Sequence, residues 1–291
     1  MHDVLILGGG PAGLAAASYA LRKHLDVMMV SRDLGGKTNL AVHFPGVQSH
    51  QALRAHELIK GFKNTVEYLP HAHTIATLSA VRVLENQVEV DVTNQAGAEH
   101  NEDTSTLSAR NLIVATGVRP RTLNVPGEAR FFGKALGYSS ISYSHLLVDK
   151  RVFLVGDSQR TVDDAKELAY QAREVILLLH EAGRYHELYR EQLAELDNVT
   201  LIEGKRVAEF QGSDYCEAVV LTPTTGNSNS GARKETIEAD AFFVQLQPTP
   251  QSDLVKDFVR TDTDGRIVVD MRNRSTRPGI FAAGDVTNVG F

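Results

Sequence analysis

The run Gly8-Gly9-Gly10-Pro11-Ala12-Gly13 constrains this chain more than any other feature. It follows the apolar stretch Val4-Leu5-Ile6-Leu7 and precedes Leu14 to Leu21, where alanines are spaced to pack closely on a sheet. A G-x-G-x-x-G spacing between a strand and a helix is the context in which a dinucleotide is held. Gly8 makes the tight turn, Gly10 lets the backbone approach a pyrophosphate, and Gly13 lets the helix pack on the strand. Pro11 and Ala12 lie at the helix start, whose free N–H groups and positive dipole end favour phosphates. A second strand is expected at Val27 to Val30. At its end the acidic residue that would grip a ribose is replaced by Ser31, which can still hydrogen-bond a ribose hydroxyl. Arg32 follows, read as a 2′-phosphate contact or, by preference, as a solvated side chain.

The pattern then starts again. Asn111 to Ala115 is a short apolar run ended by Thr116-Gly117, as in a buried parallel strand meeting a loop. Arg151-Val152-Phe153-Leu154-Val155-Gly156 repeats the strand-to-turn unit, with a helix expected over 162–173 and a strand over 175–179. Two β-α-β units in 291 residues predict an α/β chain of two doubly wound, Rossmann-like nucleotide-binding domains. The Gly-, Asn- and Ser-rich stretch from Thr224 to Lys234 reads as a surface hairpin loop. A last short strand is expected before Gly284-Asp285.

Five motifs in order, Gly8 to Gly13, Gly35-Gly36-Lys37, Phe44-Pro45-Gly46, Ala115-Thr116-Gly117 and Phe281-Ala282-Ala283-Gly284-Asp285, give the whole chain a resemblance to the low-molecular-weight thioredoxin reductase family of FAD flavoproteins. The resemblance implies a discontinuous FAD domain over 1–120 and 248–291, with a pyridine-nucleotide-type domain over 121–247 inserted in it. It implies that Asp285 bonds the flavin ribityl chain and that Gly284 allows close backbone approach. It also implies that the Gly35 to Gly46 loop, with Gly36 and Lys37, touches the flavin ring. Relatives commonly carry Asn before the aromatic-Pro-Gly unit. Here His43 stands there, a candidate flavin donor or proton-transfer group, weighed equally with a surface histidine.

The departures from the family are as informative as the matches. Relatives carry a C-x-x-C pair where this chain has Ser139-Ser140-Ile141-Ser142, and serine hydroxyls do not relay electrons. The single cysteine, Cys216 in Asp214-Tyr215-Cys216-Glu217, reads as a strand residue without redox role. In the inserted domain Gly156-Asp157-Ser158-Gln159-Arg160-Thr161 replaces G-x-G-x-x-A, with Ser158 where backbone should meet the pyrophosphate. Leu179-His180-Glu181-Ala182 replaces a basic cluster for the 2′-phosphate, and Gln247 replaces a glycine turn. The expectation is a degenerate domain and a flavoprotein without redox disulfide, independent of NADPH. Its donor would be a ferredoxin, flavodoxin, flavin or small substrate. Two alternatives stay open: a non-catalytic flavin sensor or carrier, and a second nucleotide or flavin in the inserted domain.

A net charge of −6 gives no footprint for nucleic acid or an anionic membrane. Met1-His2 runs directly into the first strand without the basic and apolar regions of a signal peptide, so a cytoplasmic setting is expected. The resemblance adds a homodimer and a helix after Asp285; the sequence ends at Phe291, so the helix is either lacking or belongs to a tail beyond it. His50, His56, His71 and His73 lie on no recognised metal-ligand spacing and read as solvated.

Overall fold

The structure, a computed structural model, describes residues 1–47, 57, 59–68, 70–94, 104–180, 186–224 and 234–289. The chain divides into two compact units, Met1–Leu40 with Arg54–Arg119 and Thr249–Phe291, and Ala41–Leu53 with Pro120–Pro248.

In the first unit β1 (His2–Leu7) lies between β2 (Val27–Ser31) and β5 (Thr104–Val114), parallel to both. Leu5, Ile6 and Leu7 are fully buried, as expected of a parallel strand covered on both faces. Helix α1 (Pro11–Arg22) lays Leu14 and Ala17 on Ile6 and Met29, and α2 (Lys60–Glu67) adds Val66 to the same core. Strand β3 (His73–Val83) continues the sheet beyond β2 and turns back into β4 (Val88–Asn94). The short apolar run expected at 111–115 is only the end of β5. Its polar half, from Thr104, runs antiparallel to β4, and from about Ala109 the strand passes into the parallel sheet. There its apolar end pairs with β16 (Ile280–Ala282) as well as with β1. Strands β6 (Val118–Arg119) and β15 (Thr249–Pro250) pair antiparallel where the chain leaves and re-enters this unit.

The second unit has a five-stranded parallel sheet. Its order is β10 (Val199–Ile202), β9 (Glu174–Leu179), β8 (Arg151–Gly156), β14 (Ala241–Gln245) and β7 (Leu136–Gly137). Phe153, Phe242 and Phe243 fill its core with no solvent exposure. Helices α3 (Glu128–Phe131), α4 (Gln159–Ala169) and α5 (His186–Leu193) complete the unit with an antiparallel sheet of β11 (Lys205–Gln211), β12 (Ala218–Pro223) and β13 (Glu235–Glu238). Helix α4 starts earlier than expected, with Ser158 in an extended conformation as its N-cap. It ends at Ala169, so Arg173 lies outside it. Strands β12 and β13 pair antiparallel, while residues 225–233 between them lie outside the described residues.

Two sequence expectations change. Residues 41–47, expected with the first domain, group with the second unit. His43 N–H donates to the Gly133 carbonyl at 2.8 Å, Ala135 N–H donates to the His43 carbonyl at 2.8 Å, and Val42 N–H donates to the Tyr143 hydroxyl at 2.9 Å. Cys216 is not on a strand. It lies in the turn between β11 and β12, held by its N–H on the Lys134 carbonyl at 3.0 Å and buried at 2% exposure. Among the described residues no helix is long and apolar enough to cross a membrane.

Candidate functional site

The turn after β1 is shaped for close approach on one side and open space on another. Gly8 adopts φ +111, and a Cβ there would stand 2.2 Å from the Ala115 carbonyl and 3.0 Å from the Thr116 nitrogen, so only glycine fits. A Cβ at Gly13 would meet the Gly8 carbonyl at 1.9 Å, the close helix-to-strand packing that the motif requires. At Gly10 a Cβ would meet nothing within 4 Å. Gly10 is the N-cap of α1 and Pro11 opens the helix. No side chain caps the helix N-terminus, which leaves its N–H groups for a ligand.

Other segments of the first unit converge here. Gly36 packs on Gly10, a Cβ there standing 3.1 Å from the Gly10 Cα. Its turn is held by Gly36 N–H on the Asp33 carboxylate at 2.7 Å and by Gly35 N–H on the Gly9 carbonyl at 2.8 Å. Gly284 faces Ala12, with 2.9 Å between a Cβ there and the Ala12 Cβ. Lys37 is ion-paired with Asp285, so two residues 248 positions apart meet at the site. Ser31 ends β2 buried at 5% exposure, its hydroxyl without a hydrogen-bond partner. A hydroxyl buried and unsatisfied at this position is a fitting ribose contact. Arg32 is exposed.

The structure therefore brings together the sequence-expected Gly8, Gly10, Pro11, Ala12, Gly13, Ser31, Gly36, Lys37, Ala115, Thr116, Gly117, Gly284 and Asp285 in one unit. His43 belongs to the second unit, where it is exposed in a backbone bridge to Lys134. Two supporting residues carry no sequence signal. The Arg266 guanidinium donates to the Asp285 carbonyl at 2.7 Å, and Gln251 bonds to Thr116 and Gly117. The open face at Gly10, the uncapped helix end and the orphaned Ser31 hydroxyl fit a dinucleotide.

In the second unit Thr161 packs on the corresponding turn, at the position where Gly13 packs on Gly8. A Cβ at Gly156 would stand 2.2 Å from the Thr161 hydroxyl, which itself donates to the Gln245 carbonyl at 3.1 Å. The Ser158 hydroxyl lies 3.4 Å from that of Thr161. Asp157 accepts from Gln247 N–H at 2.9 Å and pairs with Arg121 at 3.3 Å. The Gln245 amide also bonds Asp164, whose carboxyl burial pushes up in pKa. His180 follows β9, and Glu181 and Ala182 lie outside the described residues. The Ser139 and Ser142 hydroxyls are 2.9 Å apart. Burial pushes the Cys216 thiol up to about 12. Among the described residues no cluster of His, Cys, Asp or Glu could hold a metal; His50 and His56 lie outside them.

The profile of the family described as pyridine nucleotide-disulphide oxidoreductase matches residues 2–291. The chain is 30% identical over 291 residues to the F subunit of alkyl hydroperoxide reductase from Pseudomonas aeruginosa, covering 99% of this chain and 54% of that protein. With the corresponding protein of Staphylococcus epidermidis it shares 28% identity over 289 residues, at the same coverage. It thus spans about half the length of these curated relatives. Among solved structures, thioredoxin reductase from Streptococcus pyogenes superposes with a TM-score of 0.82 at 24% identity, over 100% of this chain and 91% of that one. This likeness establishes the fold, a thioredoxin-reductase-like pair of Rossmann-like domains.

Proposed function

Because this chain belongs to the pyridine nucleotide-disulphide oxidoreductase family, we propose that it binds one FAD in its first unit and works as a redox flavoprotein independent of NADPH and of any disulfide of its own. The open face of Gly10 at an uncapped helix N-terminus carries this reading. FAD would supply two-electron redox chemistry to the site. The α1 N–H groups would hold its diphosphate, Ser31 its ribose, and Lys37, Asp285 and Gly284 the side nearer the flavin.

The second unit supports independence from NADPH. Ser158 stands at the position that Gly10 holds in the first unit, and the Asp157 carboxylate, beside the start of α4, would repel a pyrophosphate. The ordinary routes for electrons in a disulfide reductase are also unsupported, since Ser139 and Ser142 carry no sulfur and Cys216 is alone and buried. On this reading the protein acts as a homodimer in the cytoplasm, reduced by a ferredoxin, a flavodoxin, a flavin or a small substrate. The lone cysteine fits a reducing compartment.

Anaerobic stopped-flow mixing of the flavin-loaded protein with micromolar NADPH or NADH tests the reading. The visible flavin band is expected to persist for minutes while photoreduction bleaches it fully. Bleaching within seconds by either nucleotide would contradict the proposal.

A further inference from the structure

Gln251 carries no motif, yet it clamps the Ala115-Thr116-Gly117 turn through both its side chain and its backbone. Its side-chain amide Nε2–H donates to the Thr116 carbonyl at 2.7 Å. The Thr116 hydroxyl donates back to the Gln251 carbonyl at 2.6 Å. The Gln251 N–H donates to the Gly117 carbonyl at 2.9 Å. Next to this clamp β6 and β15 are in register, Val118 with Pro250 and Arg119 with Thr249, so the lacing runs without a gap from Thr116 to Arg119.

The clamped turn is a wall of the site. The Ala115 carbonyl and the Thr116 nitrogen are the atoms that a Cβ at Gly8 would strike, so the turn packs directly on the first glycine of the loop before α1. Gly117 adopts φ +67 and a Cβ there would meet nothing within 4 Å, so the turn presents a second open backbone face besides Gly10.

We propose that Gln251 is a positioning residue for the flavin site. Resting on the reading that the first unit binds FAD, the inference assigns Gln251 no contact with reacting atoms. It fixes the Thr116 and Gly117 carbonyls, and through them the relation of the open Gly117 face to the Gly8 turn. The side chain has to be a donor of this length. The Thr116 carbonyl is an acceptor, so a glutamate would set oxygen against oxygen, and an asparagine would fall a methylene short.

Wild type, Gln251→Met, Thr116→Val and Thr116→Ser are compared by FAD titration of the cofactor-free protein and by its melting temperature without FAD. Gln251→Met keeps the shape and loses the donor, and Thr116→Val loses the returning bond. Each is expected to weaken FAD binding about tenfold, beyond the drop of roughly 2–4 °C in the melting temperature of the FAD-free protein that one lost hydrogen bond accounts for. Thr116→Ser keeps the hydroxyl and is expected to lose less affinity than Thr116→Val. The double variant of Gln251→Met with Thr116→Val is expected to lose less than the product of the two single losses, because each removes part of one clamp. Should Gln251→Met fail to fold, the Thr116 pair carries the same comparison. Unchanged affinity in both Gln251→Met and Thr116→Val, with or without a lowered melting temperature, would overturn the role of Gln251 alone. A wild type that takes up no FAD would overturn the function as well.

Discussion

Replacing Gly10 by leucine separates binding from folding. Gly10 has φ −72 and ψ −178, an extended conformation open to any residue, and a Cβ there meets nothing within 4 Å. Restricting the unfolded chain stabilises by about 0.4–1 kcal/mol. Losing glycine at an N-cap offsets this by up to about 1 kcal/mol. Net stability should therefore move by less than about 1 kcal/mol, a shift in melting temperature of no more than about 4 °C. The same leucine fills the space through which a diphosphate reaches the α1 N–H groups. Two charge-assisted hydrogen bonds at roughly 1.5–3 kcal/mol each predict a loss of about 3–6 kcal/mol, roughly 10²- to 10⁴-fold in FAD affinity. Gly13→Ala is the contrasting case, since its Cβ would stand 1.9 Å from the Gly8 carbonyl and should damage the fold itself. Melting curves of the FAD-free proteins and fluorescence titration with FAD read both quantities. A Gly10→Leu protein that binds FAD with wild-type affinity would refute the reasoning.

The Cys216 thiol, raised from its ordinary 9 to about 12 by burial, is expected to resist a thiol-specific disulfide reagent at pH 8 in the folded protein and to react at once in denaturant. Because the fold favours the protonated thiol, stability contributed there is present below pH 9 and is lost as pH rises from 9 towards 12. Fast labelling of native protein would contradict this. Photoreduced protein mixed anaerobically with oxidised thioredoxin is expected to leave its disulfide intact, as read by thiol counting; stoichiometric reduction that is lost in Cys216→Ser would show that the thiol takes part.

The parts of the fold that announce themselves in the sequence are those with local causes. The β1 turn and α1 are legible because an apolar run, glycines with steric reasons and a helical spacing follow one another within a few residues. The polar half of β5 is not legible, because its ladder to β4 needs no apolar pattern. Cys216 reads as a strand residue because it lies just before the apolar run Ala218 to Leu221. Gly212-Ser213 just before it is a turn signal that ends the preceding strand. Gln251 and Arg266 are hidden for another reason. Gln251 acts on a residue 135 positions away, and Arg266 acts on a backbone carbonyl, so neither role has a local pattern. The backbone bonds of His43 to Gly133 and Ala135, which tie it to the second unit, are likewise long-range and have no local pattern.

The claim on which the rest depends is that the first unit holds FAD. Purified protein should show a visible flavin spectrum, and extraction after denaturation should release one FAD per chain, directly or after reconstitution. The Gly10→Leu protein, folded and treated alike, should release almost none. A colourless wild-type protein that binds no added FAD, with a melting curve showing it folded, would contradict the account.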